Sequence, residues 1–117
     1  MKDVQWNNGE KPAKVTVYRE LGRPVFEILV EREDENGGAR WLSIKLPAGE
    51  WTYGAIVRAI VRLYYDQDDV EAIILNYQLD PEDEEVANEF NKLQDWRAQA
   101  KARAKQLLQY AEDNCLT

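Results

Sequence analysis

Residues 25–46 read Val25-Phe26-Glu27-Ile28-Leu29-Val30-Glu31-Arg32-Glu33-Asp34-Glu35-Asn36-Gly37-Gly38-Ala39-Arg40-Trp41-Leu42-Ser43-Ile44-Lys45-Leu46. Successive side chains of a strand alternate between faces, so Phe26, Ile28 and Val30 share one face and Leu42, Ile44 and Leu46 share another. Asn36-Gly37 between them is a strong hairpin signal. A two-residue turn there pairs Glu31 with Leu42 and sends the two apolar rows to opposite sides. A three-residue loop Glu35-Asn36-Gly37 pairs Val30 with Leu42, Ile28 with Ile44 and Phe26 with Leu46, and sets Glu27 opposite Lys45. A slip of one residue turns every side chain over. The three-residue loop is therefore expected, with Gly37 in the left-handed position of a G1 bulge.

Towards the N-terminus, Lys14-Val15-Thr16-Val17-Tyr18 alternates and is β-branched, which suits a strand. Its turn falls near Leu21-Gly22-Arg23-Pro24. Trp6 ahead of Asn7-Asn8-Gly9 is a candidate start of a fourth, edge strand.

Towards the C-terminus, Pro47-Ala48-Gly49 breaks the sheet. Thr52 is placed to cap a helix over residues 53–65, with apolar positions Ile56, Val57, Ile60, Val61 and Tyr64. Arg58 and Arg62 lie one turn apart on another face of it. Asp66-Gln67-Asp68-Asp69 ends that helix and caps the next, over residues 68–78, whose buried stripe is Val70, Ile73, Ile74 and Tyr77. Asp80 as N-cap and Pro81 at the first helical position then start a third helix. From Pro81 to Glu112 there is no Gly or Pro, which makes a rod ~48 Å long at ~1.5 Å per residue. The expected fold is α+β: an antiparallel meander of three or four strands, two short helices and one long C-terminal helix. Residues 1–80 form a small α+β domain. Residues 81–117 form the long helix with a short disordered tail, in the same folding unit.

That rod outreaches a compact domain, whose radius of gyration at this length is ~13 Å. Val86, Phe90, Leu93, Arg97, Ala100, Ala104, Leu107 and Ala111 repeat at heptad spacing, with Arg97 as the interruption. The large residues of the first half are expected to pack on the domain. The Ala-rich second half, ending in Leu107 and Leu108, is expected to admit a second helix at close range. Trp41 alternates away from Leu42 and Ile44: either the long helix covers that second face and Trp96 meets it there, which is the expected arrangement, or Trp41 is exposed as an interface anchor. The candidate interaction residues are Trp41, Trp96, Ala100, Ala104, Leu107 and Leu108.

Charge and composition narrow the chemistry. The net charge of −7 is distributed as −1 over residues 1–50, −8 over 51–96 and +2 over 97–117. An acidic middle repels the phosphates that nucleic-acid binders must neutralise. The chain has no His, which removes imidazole bases and His-containing metal sites. The single Cys115 cannot form an internal disulfide and has no His to activate it, so a reducing cytoplasm is the expected compartment. Asp66, Asp68, Asp69 and Glu71 lack the Gly of a calcium loop and read as helix caps. No apolar run approaches the ~20 residues of a membrane span. No catalytic residue, metal or cofactor is expected.

Three stretches carry a resemblance: Trp41-Leu42-Ser43-Ile44-Lys45-Leu46-Pro47-Ala48-Gly49, Asp69-Val70-Glu71-Ala72-Ile73-Ile74-Leu75-Asn76-Tyr77 and Phe90-Asn91-Lys92-Leu93-Gln94-Asp95-Trp96-Arg97. In style and order the chain resembles small proteins encoded in phages and prophages of gut Bacteroidetes. The resemblance implies a virion-associated or assembly role and lends no functional residues. The expected function is a non-enzymatic interaction or oligomerisation module that self-associates through the C-terminal helix. The alternative is an acidic inhibitor or nucleic-acid mimic that occupies a basic site on a host protein.

Overall fold

The computed structural model describes residues 4–9, 13–35 and 37–115. The alternating segments form one antiparallel sheet from β1 (Asn7–Gly9), β2 (Val15–Glu20), β3 (Arg23–Glu35) and β4 (Gly38–Pro47), in the order β1-β4-β3-β2. A 3-10 turn over Ala48–Glu50 leads to α1 (Tyr53–Arg62), α2 (Gln67–Leu79) and α3 (Glu84–Asp113). The α+β architecture and the long C-terminal helix are as the sequence implies. The expected C-terminal tail falls partly on residues 116 and 117, outside the described residues.

The central hairpin adopts both of the registers weighed above, one after the other. Phe26 faces Leu46, Glu27 faces Lys45 and Ile28 faces Ile44, the pairing expected of a three-residue loop. The register then shifts between Leu29 and Glu31, so that Glu31 faces Leu42 and Glu35 faces Gly38. Near the turn the pairing is that of a two-residue connection, which corrects the expected loop and its pairing of Val30 with Leu42. Val30 is the inserted residue of a β-bulge, which bends the strand and re-aims side chains. Val30 and Leu42 are both buried as a result. Gly37 sits at φ 80°, in the left-handed region as expected, while Asn36 lies outside the described residues.

The first hairpin is tighter. Glu20 faces Arg23 across Leu21 and Gly22, at φ 52° and 79°. Two successive left-handed residues are what a type I′ turn requires. Leu21 is fully exposed there and holds a conformation that costs a side-chain-bearing residue about 1–2 kcal/mol. At the other edge, β1 pairs only with Ala39–Trp41 of β4. Trp6 immediately precedes it, with the Arg40 guanidinium 4.5 Å from its ring centre.

Helix boundaries follow the caps. The Thr52 hydroxyl accepts from the Ala55 N–H, and Asp66 and Asp69 form a reciprocal capping box at the start of α2. The third helix starts later than expected. Asp80 closes α2, Pro81 and Glu82 lie in the turn, and the Asp83 carboxylate caps α3 by accepting from the Val86 N–H at 3.0 Å. Glu84 and Glu85 then lie in the first turn, where the helix dipole favours them.

Both α1 and α3 lie on the face of the sheet that carries Phe26, Ile28, Leu42 and Leu46, and the core fills the space between. Ile28, Ile56, Ile60 and Leu93 are fully buried at its centre. Trp51 tilts against Phe26 with ring centres 4.4 Å apart, closing one end. Trp41 lies on the opposite face, where it lines a hollow with Thr16, Glu27, Leu29 and Ser43 and with no helical residue. The expectation that the long helix covers Trp41 and brings Trp96 to it is therefore corrected. Alternation placed Trp41 away from Leu42, but both helices chose the Leu42 face.

Candidate functional site

The 30 residues of α3 make a rod ~45 Å long at ~1.5 Å per residue, matching the 47 Å longest dimension of the molecule. Its two halves are placed in the reverse of the expected manner. The second half is the one that packs on the body. Leu93, Ala100, Ala104 and Ala111 are fully buried, and Trp96 and Leu107 nearly so. Leu108 is half-buried against the same core. Ala side chains do permit close approach, but the helix beside this half is the chain's own α1, with the core residues of the sheet in the same cluster. Trp96, Ala100, Ala104 and Leu107 are thus covered within the chain, which corrects their role as a seat for a second helix. Trp41 remains partly exposed on the open sheet face.

A polar knot fixes that half of α3 in place. The Tyr64 hydroxyl donates to Glu31 Oε2 at 2.8 Å, and Arg103 donates to the Val30 carbonyl at 3.0 Å and lies 3.7 Å from Glu31. Trp96 Nε1 donates to the Ile60 carbonyl at 3.1 Å, while its ring meets Tyr64 edge-on at 4.9 Å and Arg103 at 5.1 Å. The bulge at Val30 is what turns Glu31 and the Val30 carbonyl towards these partners. Burial first, then the hydrogen bond and charge of Glu31, push the Tyr64 hydroxyl up to about 12. Burial, and secondarily the charge of Glu89, also raise Tyr65. Every group in the knot is engaged with another, so it works as a clamp between β3, α1 and α3.

The other end of the rod is less covered. From Glu84 to about Lys92, α3 lies mainly beside α2, with Glu89 near enough to Tyr65 to act on it, and the two helices form an arm. Tyr77 stacks flat on Phe90, with ring centres 3.9 Å apart and planes 4° apart. Val70, Ile73 and Ile74 pack against the core cluster without becoming fully buried. The molecule's radius of gyration is 16.2 Å, against ~13 Å for a compact chain of this length. Leu75 and Leu79, one turn apart on α2, are 53% and 75% exposed. They stand within residues 66–91, which hold ten Asp and Glu and no Lys or Arg. Reading the stripe of α2 as Val70, Ile73, Ile74 and Tyr77 missed this pair. The available signal was their own i, i+4 spacing off that stripe, a second apolar row that an ordinary amphipathic helix does not carry.

Other surfaces offer little reactive chemistry. No charged side chain among the described residues is buried, and no three His, Cys, Asp or Glu among them converge to hold a metal ion. An open groove of about 490 Å³ runs between β4 at Leu42–Lys45 and α1 at Ala59 and Arg62, with no carboxylate or thiol in its lining. Cys115 is exposed. No described helix is long and apolar enough to cross a membrane. Comparison with protein-family models, with curated proteins and with solved structures finds no match to this chain.

Proposed function

We propose that the chain is a non-enzymatic protein-interaction module whose contacting element is the α2–α3 arm. The observation that carries this reading is the exposure of Leu75 and Leu79 at 53% and 75% on one helix. Two large apolar side chains in register, flanked along the chain by Glu71 and Asp80, resemble the centre and rim of a small interface: an apolar anchor loses water while the charges around it set orientation and partner choice. The partner is accordingly a protein with a basic surface around an apolar hollow. A phage or prophage assembly role for the module rests on the resemblance of the three quoted stretches.

The ten acids of the arm also support a second reading, an acidic inhibitor or nucleic-acid mimic seated on a basic host site. The two readings differ in what carries affinity. Affinity capture from host or phage lysate, with wild type and with the double variant Leu75→Ser/Leu79→Ser, separates them. A partner held by wild type and lost by the variant supports the arm as an apolar-centred interface. Equal capture by both proteins, abolished by salt, overturns it in favour of the acidic mimic.

A further inference from the structure

Two features that the sequence singles out have no part in the arm or the core: Arg58 and Arg62, one turn apart on α1, and Arg97, which interrupts the heptad of α3. The fold brings all three to the lining of one hollow of about 250 Å³. Its apolar lining comes from Val57, Val61, Tyr65 and Val70, and no acidic side chain contributes. Among the described residues, none of the three guanidinium groups is in a hydrogen bond or ion pair. Three like charges around a shared apolar surface repel one another. In a chain with 22 acidic residues, leaving them uncompensated calls for an anionic occupant.

The geometry points to a second copy of this chain as that occupant: its α2 tip, Leu75 and Leu79 with the adjoining Asp80 and Glu82, seats in the hollow rimmed by Arg58, Arg62 and Arg97. This names the partner for the arm and rests on the arm being an interface. Chemically the two surfaces are complements, two leucines with carboxylates against valines with guanidinium groups. A chain cannot fill its own hollow. Val70 of α2 already lines it, and Leu79 stands nine residues further along the same helix, ~14 Å away at ~1.5 Å per residue. A symmetric contact of arm on arm sets ten acids against ten, which is repulsive. Tip in hollow is met either by a two-fold dimer, each tip in the other's hollow, or head to tail, where assembly continues until a ring closes or a filament grows. A contact of this kind falls below the ~1,200 Å² of stable interfaces, so it is weak, concentration-dependent and screened by salt.

Sedimentation velocity over a wide concentration range, at low and high salt, tests this with three proteins. They are wild type, the tip variant Leu75→Ser/Leu79→Ser and the hollow variant Arg62→Glu/Arg97→Glu. Wild type should gain mass with concentration at low salt and lose it at high salt, while each variant stays monomeric. An equimolar mixture of the two variants should reach twice the monomer mass and stop, because it holds one intact tip and one intact hollow. A wild type that stays monomeric throughout overturns the proposal, as does association that persists in either variant or a mixture that stays monomeric. Thermal melts establish that the variants are folded, and Arg58→Gln/Arg62→Gln replaces the hollow variant if it is not. A monomeric wild type that still captures a lysate partner through Leu75 and Leu79 defeats the self-association alone. Capture that ignores those leucines defeats the arm as well.

Discussion

Between Leu93 and Ala111, α3 lies across a sheet and beside α1. Between Glu84 and Lys92 its main neighbour is α2. The buried half sets Ala100, Ala104 and Ala111 on one seam with Leu93, Trp96 and Leu107, and every one of these seam residues is buried. The projecting half carries Val86 and Phe90 on the same seam, and both remain partly exposed. Side-chain size therefore does not set depth of burial along this helix: Trp96 is buried, while the smaller Val86 and Phe90 stay partly exposed. Depth is set by what is available to cover a position as much as by what occupies it.

The sharpest way to break this contrast is to remove one aromatic from each half. Trp96→Ala deletes a buried indole and its bond to the Ile60 carbonyl, which keeps the Leu63 N–H as donor, so it should destabilise the protein by about 3–5 kcal/mol. Phe90→Ala removes a half-covered ring and its stack on Tyr77, and should destabilise by about 1–2 kcal/mol. Urea unfolding midpoints measure both. Equal losses would mean the arm is as integral to the fold as the sheet-facing half.

Enlarging an Ala asks the same question in reverse. Ala100 is fully buried and Ala102, two residues on, is exposed. Ala100→Leu should overpack the core and cost about 1–3 kcal/mol, while Ala102→Leu should stay within about 0.5 kcal/mol of wild type. A tolerated Ala100→Leu would show that the core has room to spare at this position.

These contrasts mark what the sequence could and could not yield. Element types and the cap at Thr52 were legible because alternation, 3.6-residue periodicity and capping chemistry are local. The bulge at Val30 was not, since the pattern on each side of it argues for a different register and only a packed core requires both. The start of α3 was misplaced because Asp80-Pro81 and Asp83 are competing start signals, and the turn that decides between them depends on how α2 meets α3. For Trp41, alternation fixes a face relative to Leu42 but not which face the helices will cover. The run of Ala announced a close approach without naming the approaching element. Arg58, Arg62 and Arg97 were visible singly, but their convergence belongs to the crossing of α1 and α3.

The clamp at Glu31 gives the body a titration signature. Tyr64→Phe removes the bond from the Tyr64 hydroxyl to Glu31. Glu31 is still near Arg103 and partly reached by water, so the loss should be about 0.5–1.5 kcal/mol at neutral pH. In the folded state Tyr64 holds its proton up to about 12, against an ordinary 10. The folded form thus binds the proton more tightly, and its contribution is complete below pH 10 and declines as the pH rises from 10 towards 12. Tyr65, also raised, adds to the decline in the same direction. Stability of Tyr64→Phe followed through this window should fall less steeply than that of wild type. Parallel curves would mean that Tyr64 does not feel the clamp.

The smallest expected effect on stability carries the largest consequence for function. Leu75 and Leu79 are mostly in water, so Leu75→Ser/Leu79→Ser forfeits little burial. Serine is a slightly poorer helix former, a difference of a few tenths of a kcal/mol per site at most. Each substitution should therefore move the unfolding midpoint by no more than about 0.5 kcal/mol. If these leucines were part of the fold, the double variant would resemble Phe90→Ala in stability, and the arm would be an extension of the core. If they are an interface held open, stability stays level while association is lost. Measured on one sample by urea unfolding and by sedimentation, the two quantities must separate for the arm to be a contact surface, because a structural role would move them together.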